Sequence, residues 1–167
     1  GQRIERASLV GADRSELVDV GLVAGNFFEV FGVRPHLGRV LGLADDTAKN
    51  RSPVAVLQHD FWRTRYAADP GIVGRTVQLN GTGFTVVGVA APGFIGTDTA
   101  TATKLWVPVT MKTAITTTWD ELDDERSAWF YVFGRLKPGV SLAAAETSLK
   151  VLYRQRQEEE LPGAFFQ

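Results

Sequence analysis

The sequence contains no cysteine, a single methionine and only two histidines in 167 residues. Without cysteine there is no disulfide framework and no thiolate metal site. That absence does not decide the compartment, since bacterial periplasmic proteins often manage without disulfides. Neither sign of charge dominates: 18 basic and 19 acidic residues leave a net charge of −1. A protein so balanced has no electrostatic footprint for nucleic acid or for an anionic membrane surface. No run of about 18 apolar residues occurs, so nothing in the sequence is built to span a bilayer. The first residue is Gly1 and the sole methionine is Met111, which together read as an excised or processed piece of a longer protein.

What is present is a core. Apolar residues make up 44% of the chain and aromatics 10%, which places it among globular, not disordered, proteins. The densest information lies in Asn26–Arg39. Asn26 and Glu29 have the spacing of a reciprocal helix cap. Phe27, Val30 and Phe31 then share one face, and Gly32 supplies the left-handed residue that ends such a helix. Pro35 blocks continuation and, with His36, reads as an exposed turn.

Strands are expected over Ile4–Val10 and Leu17–Val23, joined by a turn at Gly11–Arg14. Leu43–Ser52 is polar and reads as a solvated loop, Pro53–Leu57 as a brief apolar strand, and Asp60–Ala68 as a helix stopped by Asp69-Pro70. Between Arg75–Leu79 and Phe84–Val89 stands Asn80-Gly81, whose residues both tolerate positive φ, so a tight hairpin is predicted. Gly96–Lys104 reads as an exposed loop, Trp106–Val109 as a short strand, and Asp120–Arg126 as a charged connection. Ala128–Leu136 is predicted as a strand with aromatics on both faces. Ser141 caps a long helix over Leu142–Glu159, with Leu142, Ala145, Leu149 and Leu152 as its apolar stripe. Strands, short helices, a hairpin and a long helix in this order make the fold class α+β.

Reactive chemistry finds little purchase. His59-Asp60 could be a base with its orienting carboxylate, but neighbours on a helix point apart, and a polar residue opening a helix is the simpler role. Asp45-Asp46 and the acidic run from Asp120 to Glu125 lack the alternating oxygens, bend glycine and distal glutamate of a calcium loop. No serine occupies a G-x-S-x-G elbow. Gly81 and Gly83 fall in a hairpin, not between a strand and a helix N-terminus, so no nucleotide loop is present. The reading is therefore no catalytic, cofactor-binding or metal-binding residue. Phe27, Phe28, Phe31, Phe61, Trp62, Tyr66, Trp106, Trp129, Phe130 and Tyr131 fit a core better than a cargo cleft.

Beyond Asn26–Arg39, a series of short motifs follows: Pro53-Val54-Ala55-Val56-Leu57, Phe61-Trp62-Arg63, Asp69-Pro70, Val73-Gly74-Arg75-Thr76, Val77-Gln78-Leu79-Asn80-Gly81, Phe84-Thr85-Val86-Val87-Gly88-Val89, Pro92-Gly93-Phe94, Leu105-Trp106-Val107-Pro108 and Gly134-Arg135-Leu136-Lys137-Pro138-Gly139-Val140-Ser141. In this order and spacing, from about residue 20 to about residue 155, the chain resembles the extracytoplasmic core domain of MacB-type ABC transporter permeases, in the FtsX-like permease superfamily. The Asp45-Asp46 pair matches a recurrent acidic pair of that family, with no known chemistry. Lys104 departs from it, because related sequences commonly carry aspartate before Leu-Trp-Val-Pro.

The resemblance implies a domain set between the first and second transmembrane helices, on the periplasmic side of a bacterial inner membrane. It implies a porter-like lobe of strands and helices, here 1–24 with 127–167, and an inserted β-rich lobe over 25–126. It implies no enzyme: ATP would be hydrolysed by an ATP-binding domain or subunit of the same permease. Movement of the transmembrane helices would pass through this domain to a periplasmic adaptor or to peptide, lipoprotein or small-molecule cargo during export or efflux. A soluble ligand-binding module is the alternative, and requires a preformed pocket of roughly 300 Å³ or more. A hydrolase using Asp98 or the acidic loop with His59 is a further one, and requires those groups to converge.

Overall fold

A computed structural model describes residues 1–11, 14–99, 101–117, 120, 122–123 and 128–160, with side chains to residue 155. The chain divides into two compact units, Gly1–Phe133 and Gly134–Gln167. The fold is α+β, as expected.

The first unit is organised by one mixed sheet. Strands β1 (Gln2–Val10) and β2 (Ser15–Val23) form an antiparallel hairpin, in register from Gln2 opposite Val23 to Val10 opposite Ser15. Of its turn, Ala12 and Asp13 lie outside the described residues. Helix α1 (Phe27–Phe31) leads to edge strand β3 (Pro35–Gly38). Strand β4 (Val54–Leu57) and helix α2 (His59–Arg65) come next, then β5 (Thr76–Leu79) and β6 (Thr82–Ala90). Strand β7 (Leu105–Pro108) and helix α3 (Lys112–Ile115) complete the unit.

The strand order is β3-β6-β4-β7-β2-β1-β5, and β5 also pairs with β6. Six strands therefore close on themselves as a small barrel, with β3 laid beside the far end of β6. Closure rests on a single residue pair between β1 and β5, Leu9 opposite Leu79. The predicted hairpin is realised: Asn80 and Gly81 have φ of 48° and 82°, and Leu79 faces Thr82 across the turn.

Period-two alternation sorts each strand between two packing layers. Val18, Val20 and Leu22 of β2, Ala55 and Leu57 of β4, Phe84 and Val86 of β6, and Leu105 and Val107 of β7 fill the barrel. The alternate residues Val23, Val56, Ala90 and Trp106 face outward, beneath Phe27 and Phe28 of α1. Trp106 is wholly buried there, edge-on to Phe28 at 5.6 Å and tilted against Phe94 at 5.2 Å. Gly21 makes room for it, since a Cβ at that position would lie 2.4 Å from Trp106 Cδ1. Burying each such ring contributes about 2–3 kcal/mol. Strands from 1–24 and from 25–126, which the two-lobe expectation separates, share this sheet. The compact units part at 133/134, not at 24/25 and 126/127.

Several local expectations need correction. Asn26 stands at the N-cap of α1 but makes no side-chain cap hydrogen bond. Backbone contacts serve instead: Phe27 N–H donates to the Ala24 carbonyl and Val30 N–H to that of Asn26. The buried pair on α1 is Phe27 and Phe28, with Val30 and Phe31 half-buried. Gly32 does end the helix left-handed, at φ 67°. Pro35 and His36 form no turn; they open β3, an edge position where proline's missing N–H costs nothing. Thr103, within the loop expected to be exposed, is buried.

Ala128–Leu136 is not a strand. Its only ladder contact is an isolated antiparallel bridge between Gln2 and Tyr131. Trp129 packs on the barrel's apolar cluster with Lys112 Nζ 5.0 Å from its ring, while Tyr131 and Val132 face solvent. β-rich composition describes residues that suit a pleated surface, and only one residue of this segment is given a partner. Most of the charged connection at 120–126 lies outside the described residues.

In the second unit, helix α4 spans Leu142–Glu160. Ser141 Oγ accepts from Ala144 N–H at 3.2 Å, the cap that was expected. The predicted stripe is solvent-facing: Leu142, Leu149 and Leu152 are each more than half exposed.

Candidate functional site

A groove of about 540 Å³ lies beside β1. Five consecutive β1 residues, Gln2 to Arg6, line it, with Asp19, Thr97, Asp98, Thr101, Tyr131 and Phe133. Successive side chains of a strand point to opposite faces. A cleft touched by five in a row therefore runs along the strand's edge as well as over one face.

Much of its charge is already spent. Arg3 Nε donates to Glu5 Oε1 at 2.9 Å, and Arg6 Nε stands 3.5 Å from Asp19 Oδ1. Gln2 is buried, and its Oε1 accepts from Thr97 Oγ1 at 3.0 Å while its Nε2 has no partner among the described residues. Thr103 Oγ1 and Trp106 Nε1, both within 3.7 Å of the point where a Cβ on Gly96 would sit, are likewise buried without partners.

The main chain of β1 is patterned too. Gln2 N–H donates to the Tyr131 carbonyl at 2.8 Å, and Tyr131 N–H returns a bond to Gln2 O at 3.0 Å. Six residues on, Ser8 O accepts from Asn80 N–H and Ser8 N–H donates to Asn80 Oδ1. Even-numbered residues thus turn their peptide groups away from β2. Of these, Ile4 and Arg6 have no outward partner among the described residues.

The residues weighed for chemistry are scattered. His59 is buried at the start of α2, its ring 4.9 Å from that of His36 and 5.6 Å from that of Trp62. Contrary to the expectation that neighbours diverge, His59 Nδ1 lies 3.2 Å from Asp60 Oδ1. That bond draws the Asp60 carboxyl below its ordinary pKa. Asp98 stands in the groove, whose lining includes no histidine, so the pairing a hydrolase would need is not assembled.

Asp45 is buried and Asp46 half-buried, and both are engaged within the fold. Asp45 is buried at the end of a 3₁₀ turn and takes both arms of Arg39, Nη1 at 2.6 Å and Nη2 at 2.8 Å, with Gly42 N–H at 2.9 Å. The Arg39 bonds, foremost, hold its pKa below the carboxylate norm, against the opposing effect of burial. Asp46 accepts from Gly25 N–H and Thr110 N–H, tying the approach to α1 to the end of β7. Both aspartates are braces. Lys49 pairs with Asp120 and Asp123 at 3.3 and 2.6 Å. Among the described residues no group of three or more His, Asp or Glu side chains is placed to hold a metal ion.

Sequence reasoning missed the groove, because no motif marks a strand edge; only the finished strand order reveals which edge is left open.

The chain from residue 2 to residue 152 matches the model of the MacB-like periplasmic core domain family. Its fold is similar to the periplasmic region of MacB from Actinobacillus actinomycetemcomitans, at TM-score 0.62 and 20% identity over 92% of this chain and 64% of that one. It is similar to a domain of a protein assigned as a permease from Porphyromonas gingivalis, at TM-score 0.60 and 16% identity over 92% and 62%. The extracellular domain of the noncanonic ABC-type transporter YknZ from Gram-positive bacteria gives TM-score 0.54 and 12% identity over 70% and 57%. The chain thus spans less than two thirds of each of these structures. No curated protein sequence matches it.

Proposed function

The chain belongs to the MacB-like periplasmic core domain family, and on that footing we propose that it is the extracytoplasmic part of a bacterial ABC-type permease. It works there as a mechanical element in which no bond is made or broken. Nucleotide hydrolysis by a cytoplasmic ATP-binding domain or subunit moves the transmembrane helices. This domain transmits the movement to an accessory protein or to cargo beyond the membrane.

The family match over residues 2–152 carries the reading. The fold supports it: a closed barrel with a filled interior and an aromatic layer bound to its outer face moves as one body. No described helix is long and apolar enough to cross a membrane, so anchorage belongs to other segments of the permease. The 540 Å³ groove, and a second hollow of about 320 Å³ beside Met111 and Thr113, favour the alternative, a free-standing ligand-binding module.

The two readings separate on the whole gene product. Expressed in a bacterial host, it is expected to sediment with inner membranes and to resist carbonate extraction. A protease added to spheroplasts should cut the domain, while inside-out vesicles protect it. Recovery of the intact product in the soluble periplasmic fraction would overturn the permease reading and leave the module.

A further inference from the structure

We propose that the β1 edge between Gln2 and Ser8 is a docking site for an extended peptide segment of a partner protein, which adds to the barrel sheet as one more strand. The outward peptide groups of Ile4 and Arg6 offer two donors and two acceptors in fixed alternation, with none of them bonded within the described residues. Strand edges left in this state are sites of strand addition unless something covers them. The two ends of the vacancy are already defined, by the main chain of Tyr131 at Gln2 and by Asn80 at Ser8.

The chemistry of the occupant follows from the groove. Within the Arg3–Glu5 and Arg6–Asp19 pairs the charges offset one another, and Asp98 is the further carboxylate of the lining, so no strongly charged ligand is called for. What remains unsatisfied is amide chemistry: the Ile4 and Arg6 main chain and the buried Gln2 Nε2. An extended backbone supplies amide N–H and C=O groups at the same repeat, about 3.3 Å per residue along a strand. Tyr131, at one end, offers an exposed ring for an apolar side chain of the incoming strand. Arg6, whose side chain is 76% exposed and only loosely paired with Asp19 at 3.5 Å, can share its charge with one acidic residue directly opposite it. A second copy of the chain fits less well. Antiparallel pairing about a two-fold axis, with Ile4 opposite Arg6, would set Glu5 against its own counterpart. Like charges directly opposite are destabilising.

The inference stands on the edge geometry alone, so its failure would leave the family assignment untouched. The test uses the 167-residue chain labelled for NMR. The probe is a capped synthetic peptide of alternating threonine and valine with one central glutamate. Its partner control is the same peptide N-methylated at alternate residues, which removes the donors of one edge. The amide signals of Ile4 and Arg6 should shift and their hydrogen exchange should slow with the first peptide, not with the second. Arg6→Pro, which deletes one outward donor at an edge position where proline is tolerated, should weaken binding about tenfold. Arg6→Ala, which keeps the backbone donor, should stay within about threefold. Should Arg6→Pro not fold, the methylated peptide alone decides. Equal binding of both peptides, no binding at millimolar concentration, or slow exchange of Ile4 and Arg6 before any peptide is added would each overturn the proposal.

Discussion

At the scale of single residues, the sharpest lesson is that one side chain often carries two jobs. Asn80 was legible as a turn residue, because few others accept φ of 48°. That it also clasps three elements was not. Its Oδ1 takes Ser8 N–H and its Nδ2 donates to the Ile115 carbonyl, so the turn of one hairpin fastens β1 and α3. Asn80→Gly keeps the turn and removes the clasp, and should cost roughly 1–2 kcal/mol in urea unfolding. Unchanged stability would mean those two hydrogen bonds are isoenergetic with water. Asp45 is the second case, readable as acidic loop and found as a buried brace on Arg39. Asp45→Ala should destabilise by about 1.5–3 kcal/mol at neutral pH. Its carboxyl pKa is depressed in the fold, so the stabilisation is present above the unfolded value near 4 and is lost as pH falls below it. The gap between wild type and Asp45→Ala in unfolding midpoint should therefore narrow progressively as pH falls below about 4. A gap that stays constant across that range would show that the charge is not what matters.

Among the elements, those written in local chemistry were the readable ones. Asn80-Gly81 marked the β5–β6 hairpin, Gly32 the end of α1, and Ser141 the start of α4. What could not be read was anything decided by a distant partner. Ala128–Leu136 has the composition of a strand and lacks a neighbour beyond one bridge, whereas Pro35–Gly38 has the composition of a turn and is given one by β6. The candidate site is the extreme instance, since a bare strand edge is a property of the strand order and not of any residue in it. Trp106 was expected in a strand, but its place in an outward aromatic layer depends on Gly21, its neighbour in the parallel β2–β7 pair. Gly21→Ala forces the indole from its seat and should cost about 1–3 kcal/mol. A red shift and quenching of tryptophan emission should accompany it. Wild-type stability with an unaltered spectrum would show that the layer is slack.

For the molecule as a whole, the strand order sets what can fold without what. Val20 finds its β7 partner Leu105 only 85 positions later, and β7 also pairs with β4. A fragment ending at residue 100 lacks β7 and leaves β2 and β4 each short of one of their two neighbours. Such a fragment should show little cooperative unfolding by circular dichroism, whereas one ending at residue 117 keeps all seven strands and gains a sigmoidal transition. Cooperative melting of the shorter piece would show that the hairpin and β3–β6 form an independent nucleus. Since ribosomes deliver chains from the amino end at about 5–20 residues per second, the first hairpin emerges several seconds before its neighbour exists. Through that interval Val18, Val20 and Leu22 have no β7 layer to lie against, and the newborn polypeptide carries a sticky ribbon that a stranger's strand could meet first.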